Sequence, residues 1–398
     1  MKRIVTFIVV LLAVLLIQPA WAQAPPEDAA PVDLSQNAAL RYWMAFNTLS
    51  DFDDAGLLVL SQWETIDIEA ARFYASEESS ILGTLHWAAE LDACIWAINR
   101  EAGVYALLPH LGGARQLAKL AMLRARVRLF DEDMRGAAAD VLAVMKLGRA
   151  FGSDRILISS LVDRSIEAMA VQWLAANLSA FDDESLRSLR DGIARLPQRP
   201  SLGEVISGER DIYLGWMKRG LSGESIPSEE DFRVFMDECF EQYELEAAGF
   251  EAWQGHEAQW LLWVEAANEF YEESAHIADM PFLEYSDAFA EHEAAVQDSA
   301  NPVVMVLMPA VGAARRSIDR VAAQLAMLQA MVALRLDGPL DDTTAQALQD
   351  PYGDGSFEFI VEQIDGEEWV VGLRSALLGR EDEQVELRAD KVVRWWLP

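Results

Sequence analysis

Only two cysteines, Cys94 and Cys239, occur in 398 residues, and they form no Cys-x-x-Cys, so dithiol redox chemistry and cysteine-ligated zinc are unsupported. If the chain matures outside the reducing cytosol the two could form one disulfide; among apolar helical neighbours they could equally stay buried thiols. Histidine is scarce too: His86, His110, His256, His276 and His292 are scattered, whereas a metal site needs several ligands converging at about 2 Å. Gly-x-Ser-x-Gly, His-Glu-x-x-His and a Ser-x-x-Lys with partner motifs are all missing, which removes the common hydrolase signatures. No glycine-rich phosphate loop is present, since Gly112 and Gly113 open a helix and lack the Lys and Ser/Thr of a nucleotide site. Positive charge is short as well, with 32 Lys and Arg against 65 Asp and Glu and a net charge of −33. Nucleic acid and anionic membrane surfaces are thereby excluded as partners, because affinity for phosphates comes mainly from clustered Lys and Arg. A basic protein or a divalent cation remains compatible.

What the chain has begins with Lys2 and Arg3, an apolar run over residues 4–17 and the small-x-small site Ala20-Trp21-Ala22. This pattern predicts a secretory signal peptide over residues 1–22, with cleavage near Ala22 or Ala24. The run is shorter than the ~20 residues needed to span a bilayer as a helix, and no second run of spanning length follows. Residues 23–36, with Pro25, Pro26 and Pro31 among small and acidic residues, read as a flexible leader. Loss of Lys2 and Arg3 with the signal peptide takes the net charge from −33 to −35.

From about residue 37 to 336 apolar residues recur at three- and four-residue spacing between breaks at Gly, Pro and Asp, which predicts a series of amphipathic helices. Helix starts are marked at Asp53-Asp54, Asp182-Asp183 and Ser201, with Pro109 and Pro302 in first-turn positions. The expected fold is mainly α: stacked amphipathic helical hairpins with a small C-terminal α+β tail. Its expected divisions are a helical hairpin domain over residues 37–198, an acidic helical domain over 199–336 and the tail over 337–398. Pro197 and Pro200 mark the first boundary. Within residues 224–298 Arg233 is the sole Lys or Arg, and Trp253, Trp260, Trp263, Phe270, Tyr271, Phe282 and Tyr285 alternate with acids. Helices with an aromatic inner face and an acidic outer face account for that. After Leu336, Gly338, Pro339, Pro351, Gly353 and Gly355 break helices, and residues 357–361, 369–373 and 385–387 read as short strands.

Residues 114–151 break into two helices around Asp131-Glu132-Asp133, with small residues Ala125 and Ala137 to Ala139 where the pair must approach closely. This segment resembles a single degenerate tetratricopeptide-type hairpin, and residues 155–178 with 182–196 form a second candidate pair; no strict 34-residue period recurs. Residues 107–115 (LLPHLGGAR) read against 307–315 (LMPAVGAAR), each opening a long Ala/Leu-rich helix; an ancient duplication or simply a good helix start explains the likeness. Residues 325–359 end a helix at Leu336, pass Thr343, Thr344 and Gln346, and reach Asp350-Pro351-Tyr352-Gly353 before Phe357-Glu358-Phe359. That run resembles the C-terminal half of type II secretion pseudopilins, which implies a turn leading into a small sheet. The preceding helix is amphipathic and central where pseudopilins carry an N-terminal membrane helix, so pilus assembly is not implied. The family's sheet region can hold calcium, for which Asp350 and Asp354 are the candidates here; a plain tight turn is the other reading. As a whole the chain is similar to exported helical proteins of bacteria, a likeness that implies a fold and no activity.

Glu273-Ser-Ala-His276, with Glu269 and Glu272 a turn earlier, puts a carboxylate and an imidazole on one helical face, as carboxylate-bridged two-metal sites in bundles do. No second Glu-x-x-His accompanies it, and a solvated acidic face explains it equally. Trp43, Trp63, Trp87 and Trp96 are candidates to line a sugar groove, yet lie at the helical spacing of core residues. No residue earns a catalytic, cofactor-binding or metal-ligating assignment. The leading expectation is an exported, non-enzymatic helical-repeat protein that binds another protein of the cell envelope; the alternative is an exported all-α hydrolase acting on glycans through a cleft with paired carboxylates.

Overall fold

Local capping chemistry sets the helix boundaries. Asp133 accepts a hydrogen bond from Gly136 N at 2.9 Å and starts one helix immediately after another ends at Phe130; between them Glu132 takes φ 63°, the left-handed conformation that closes the turn. Asp182 caps through Ser185 N, Ser201 and Glu204 form a capping box, and Pro302 occupies the first turn behind the Asn301 cap.

The computed structural model describes residues 34–49, 54–77, 79–242, 253–308, 311–338, 342–378 and 384–394. The predicted signal peptide, the leader up to residue 33, Asp53, Pro309 and Pro339 lie outside them. The fold is mainly α, with a small three-stranded antiparallel sheet near the C-terminus. Helices α1 (Ala38–Leu49), α2 (Asp54–Ser61), α3 (Ile68–Glu77) and α4 (Ser79–Ala89) surround a central pair, α5 (His110–Phe130) and α6 (Met134–Gly152). A second pair, α7 (Leu157–Ala176) and α8 (Asp183–Ala194), packs on α6. Then follow α9 (Leu202–Leu221), α10 (Glu229–Gln242), α11 (Glu257–Ala278), α12 (Phe282–Gln297) and α13 (Pro302–Leu307), the long α14 (Val311–Asp337) and the short α15 (Asp342–Ala347). Among the described residues no helix is long and apolar enough to cross a membrane.

Buried apolar side chains gather in two clusters. The first joins α1 to α8, the C-terminal half of α14 and the sheet; the second joins α9 to α13 with Val311 at the start of α14. Trp260 and Tyr271 of the acidic stretch are buried in the second cluster while Glu265, Glu269 and Glu272 face outward, the aromatic-in, acidic-out division expected of its composition. In the first, the rings of His110, Trp96 and Phe151 stack against one another, with centroids 4.6 Å apart for His110 and Trp96, 5.4 Å for His110 and Phe151 and 4.7 Å for Trp96 and Phe151. Cys94 and Cys239 are both free thiols, one packed on each cluster; burial pushes Cys94 up to about 12 and Cys239 higher still.

Strands β1 (Glu358–Ile364), β2 (Glu367–Leu378) and β3 (Gln384–Arg394) form a meander in the order β1-β2-β3, so β3 is an edge. The sheet lies against α14 and α7. The Asp350-Pro351-Tyr352-Gly353 turn is stitched to β2: the buried Asp350 carboxylate accepts from Tyr352 N at 3.0 Å, Ser375 Oγ at 2.9 Å and Ala376 N at 2.6 Å. Asp354 is exposed. With its oxygens occupied by N–H and O–H donors, Asp350 is a structural clasp. Asp350→Ala strands three donors and costs roughly 3 kcal/mol. Urea unfolding is expected to show a lower midpoint at unchanged slope; an unmoved midpoint would refute the role.

Candidate functional site

The α7, α14 and β3 surfaces do not close on one another. Between them lies a cleft of about 400 Å³. On α7 its wall is Leu161, Ser165, Ala168 and Gln172, residues three or four apart and therefore on one face. On α14 it is Ser317, Arg320, Val321 and Gln324 at the same spacing, and on the edge strand Gln384, Val385 and Glu386. Ser165, Gln172, Ser317, Arg320 and Gln384 are exposed, Gln324 and Val385 are buried at the base. The amides are loosely held: Gln172 Nε2 donates to Gln324 Oε1, and Gln324 Nε2 to the Glu386 carbonyl, both at 3.5 Å, the long limit for such bonds. Further along β3, Ser179 N and Oγ donate to Asp390 and cover that part of the edge.

Behind the cleft α7 turns its other face to α6. Gly148 and Gly152 leave room there that a Cβ would take from the Asp163 carboxylate. Asp163 and Glu167 are fully buried and meet Arg199, which comes from the turn before α9, donating to both oxygens of Asp163 and to Glu167. Arg149 and Arg164 also reach Glu167, at 2.9 and 3.4 Å. Burial works against the Arg199 charge, but the bonded Asp163 and Glu167 outweigh it and hold its pKa above the ordinary value. Burial, and next the Arg199 charge, pull Arg149 and Arg164 below it.

Among the described residues two carboxyls are pushed upward, Glu209 to about 7 by burial and Asp319 by burial against the opposing Arg315. Neither lines the cleft. Its one described carboxylate, Glu386, accepts from Arg374 Nε at 2.8 Å and lies 3.7 Å from Arg388.

The other sequence candidates disperse. Glu269, Glu272, Glu273 and His276 are exposed on α11, with Glu272 accepting from Asn268 at 2.8 Å. Ser274 within that motif is buried and bonded to His292 Nε2 at 2.6 Å, joining α11 to α12. Among the described residues no three His, Cys, Asp or Glu converge to hold a metal. Trp63 and Trp96 are core, Trp43 packs on Phe46 and Trp96, and the half-exposed Trp87 carries the Arg41 guanidinium over its ring at 3.4 Å. They line no common groove with the cleft. Sequence reasoning missed the cleft; the available signals were Ser165 and Gln172 on a helix otherwise rich in apolar residues and Gln324 inside Ala322-Ala-Gln-Leu-Ala326. No known protein family, curated protein or solved structure matches this chain, so a functional reading rests on this geometry.

Proposed function

We propose that this chain is an exported, non-enzymatic helical protein that binds a segment of another polypeptide of the cell envelope, and that the segment lies in the α7/α14/β3 cleft. One observation carries the reading: among the described residues no strand pairs with the outer edge of β3, which lies beside loosely bonded glutamine amides and serine hydroxyls. Edge strands recognise extended peptides through main-chain hydrogen bonds, and side-chain amides and hydroxyls supply the same donors and acceptors. The volume falls in the ~300–1,000 Å³ range of ligand sites. Glu386 is already held by Arg374, which gives no support to acid–base chemistry in the cleft. Export rests on the apolar run and the Ala20-Trp21-Ala22 site.

The test is photo-crosslinking in intact cells from a reactive residue at Gln172, with one at the exposed Glu230 of α10 as control. The expected result is a discrete adduct from position 172 alone, lost in Ser165→Trp, which fills the cleft from an exposed position and leaves the melting temperature unchanged. Adducts of equal yield from both positions, or an adduct indifferent to Ser165→Trp, would defeat the reading.

A further inference from the structure

Helix α9 runs along the seam between the two hydrophobic clusters: Ile212 belongs to the first, Ile206, Leu214 and Trp216 to the second, and Tyr213 touches both. Where α9 meets the turn between α6 and α7 the approach is too close for a side chain, since a Cβ on Gly208 would collide with the Arg155 carbonyl. Arg155 itself sits at φ 58°, a conformation costly for a residue with a Cβ.

One residue on, Glu209 is 5 % exposed in this seam. Its Oε1 accepts from Leu157 N, the first residue of α7, at 2.9 Å and from the Tyr213 hydroxyl at 3.4 Å. No cation joins it among the described residues. On the turn, Arg155 pairs with Glu204 at 3.2 Å, and Arg100 of the 3-10 segment Arg100–Tyr105 donates to the Asp154 carbonyl. Arg210 of α9 is engaged by Asp211 and Glu272. The remaining titratable groups here are Asp154, which accepts from Ser159 at 2.7 Å and lies 3.6 Å from His110, Tyr105 on the 3-10 segment, and Tyr271 of α11, whose hydroxyl donates to the Leu307 carbonyl. None brings a positive charge to Glu209, and a carboxyl buried without one keeps its proton or draws in water.

We infer that the seam between the two helical units is a proton-dependent joint: Glu209 stays protonated while α9 is docked on the α6–α7 turn, and release of that proton to solvent favours states in which the seam opens. Burial pushes the carboxyl up to about 7 from 4.5; the bonds from Leu157 and Tyr213 pull back part of the rise and the Asp154 charge adds to it. An opened, hydrated Glu209 ionises near its ordinary value, so the docked state holds the proton over a pH range where the open state has lost it. Docking is therefore strongest below about 4.5, weakens as pH rises toward 7, and changes no further above that.

Hydrogen exchange of the mature protein, corrected for intrinsic rates and read at the peptide containing the Leu157 amide, tests the joint. Between pH 5.5 and 8 the opening equilibrium is expected to rise roughly 30-fold in the wild type. In Glu209→Gln, whose amide oxygen can accept the same bond, it is expected to stay constant. Equal pH dependence in the two proteins would overturn the proposal. Should the variant fail to fold, the wild type alone decides: a rise levelling near pH 7 supports the joint, and opening that is flat from pH 5.5 to 8 refutes it.

Discussion

Replacing Arg199 with methionine lowers the stability of the fold by about 3–5 kcal/mol, the cost of leaving a buried ion cluster without its counterion. Among the described residues Arg199 is the one cation bonded to Asp163, whose side chain is wholly shut off from water. Gly148 and Gly152 press the α6 backbone onto the same carboxylate, so the helix pair has no slack with which to hydrate it. At ~2–4 °C per kcal/mol the melting temperature falls by roughly 10 °C. Glu167 keeps Arg149 and Arg164 and suffers less. The double variant Asp163→Asn/Arg199→Met is therefore expected to recover part of the loss, since the orphaned charge is gone. Calorimetry of the single and double variants checks this; a single variant within 1 kcal/mol of wild type, on the scale of an exposed pair, would show that the cluster is not a structural anchor.

Asp140→Asn gives the second large effect, and its pH dependence separates charge from shape. Asp140 is fully buried between α5 and α6, bonded to His86 Nε2 at 2.7 Å, Arg124 Nη2 at 2.5 Å and Arg128 Nη1 at 2.9 Å. Burial by itself would raise its pKa, but the bonds from His86 and Arg124 and the charges of Arg124 and Arg128 outweigh it and hold the carboxyl below the usual 3.8. A carboxyl depressed in the fold contributes stability above its unfolded value and loses it as pH falls through the folded one. The variant is expected to be about 3 kcal/mol less stable than wild type at pH 7, with the difference shrinking once the pH drops below 3.8. Denaturant unfolding at pH 7 and pH 3 checks this; a deficit of the same size at both would assign the effect to packing.

Both clusters show where sequence reading reaches and where it stops. The helices were legible because their signals are local: Asp133, Asp182 and Ser201 cap within three residues, and Asn301-Pro302 opens α13 as expected. The tail was legible for the same reason, with breakers at Pro351 and Gly353 followed by alternating strands. Asp163 and Glu167 stand one helical turn apart, a spacing that by itself marks neither burial nor an ion cluster. Their burial depends on Arg199, which arrives from a Pro-Gln-Arg-Pro turn more than thirty residues later, and nothing in a local window pairs those segments. Glu209 sits in Ser-Gly-Glu-Arg-Asp, a composition that reads as solvent-facing; only the packing of α9 against the α6–α7 turn puts it inside. The cleft draws on residues 161–172, 317–324 and 384–386, so its shape is a product of tertiary packing. The Glu-x-x-His motif was conspicuous because it is local, and its Glu273 and His276 stand on the outer face of α11.

Hydrogen exchange of the mature protein with and without the crosslinked partner tests the binding account most directly. The account predicts protection confined to the cleft-facing stretches of α7 and α14 and to the open part of β3, around residues 161–172, 317–324 and 384–388, and its disappearance in Ser165→Trp. Protection centred elsewhere, for example on the exposed Leu40, Met44 and Trp87 face of α1 and α4, with these stretches unchanged, would contradict it.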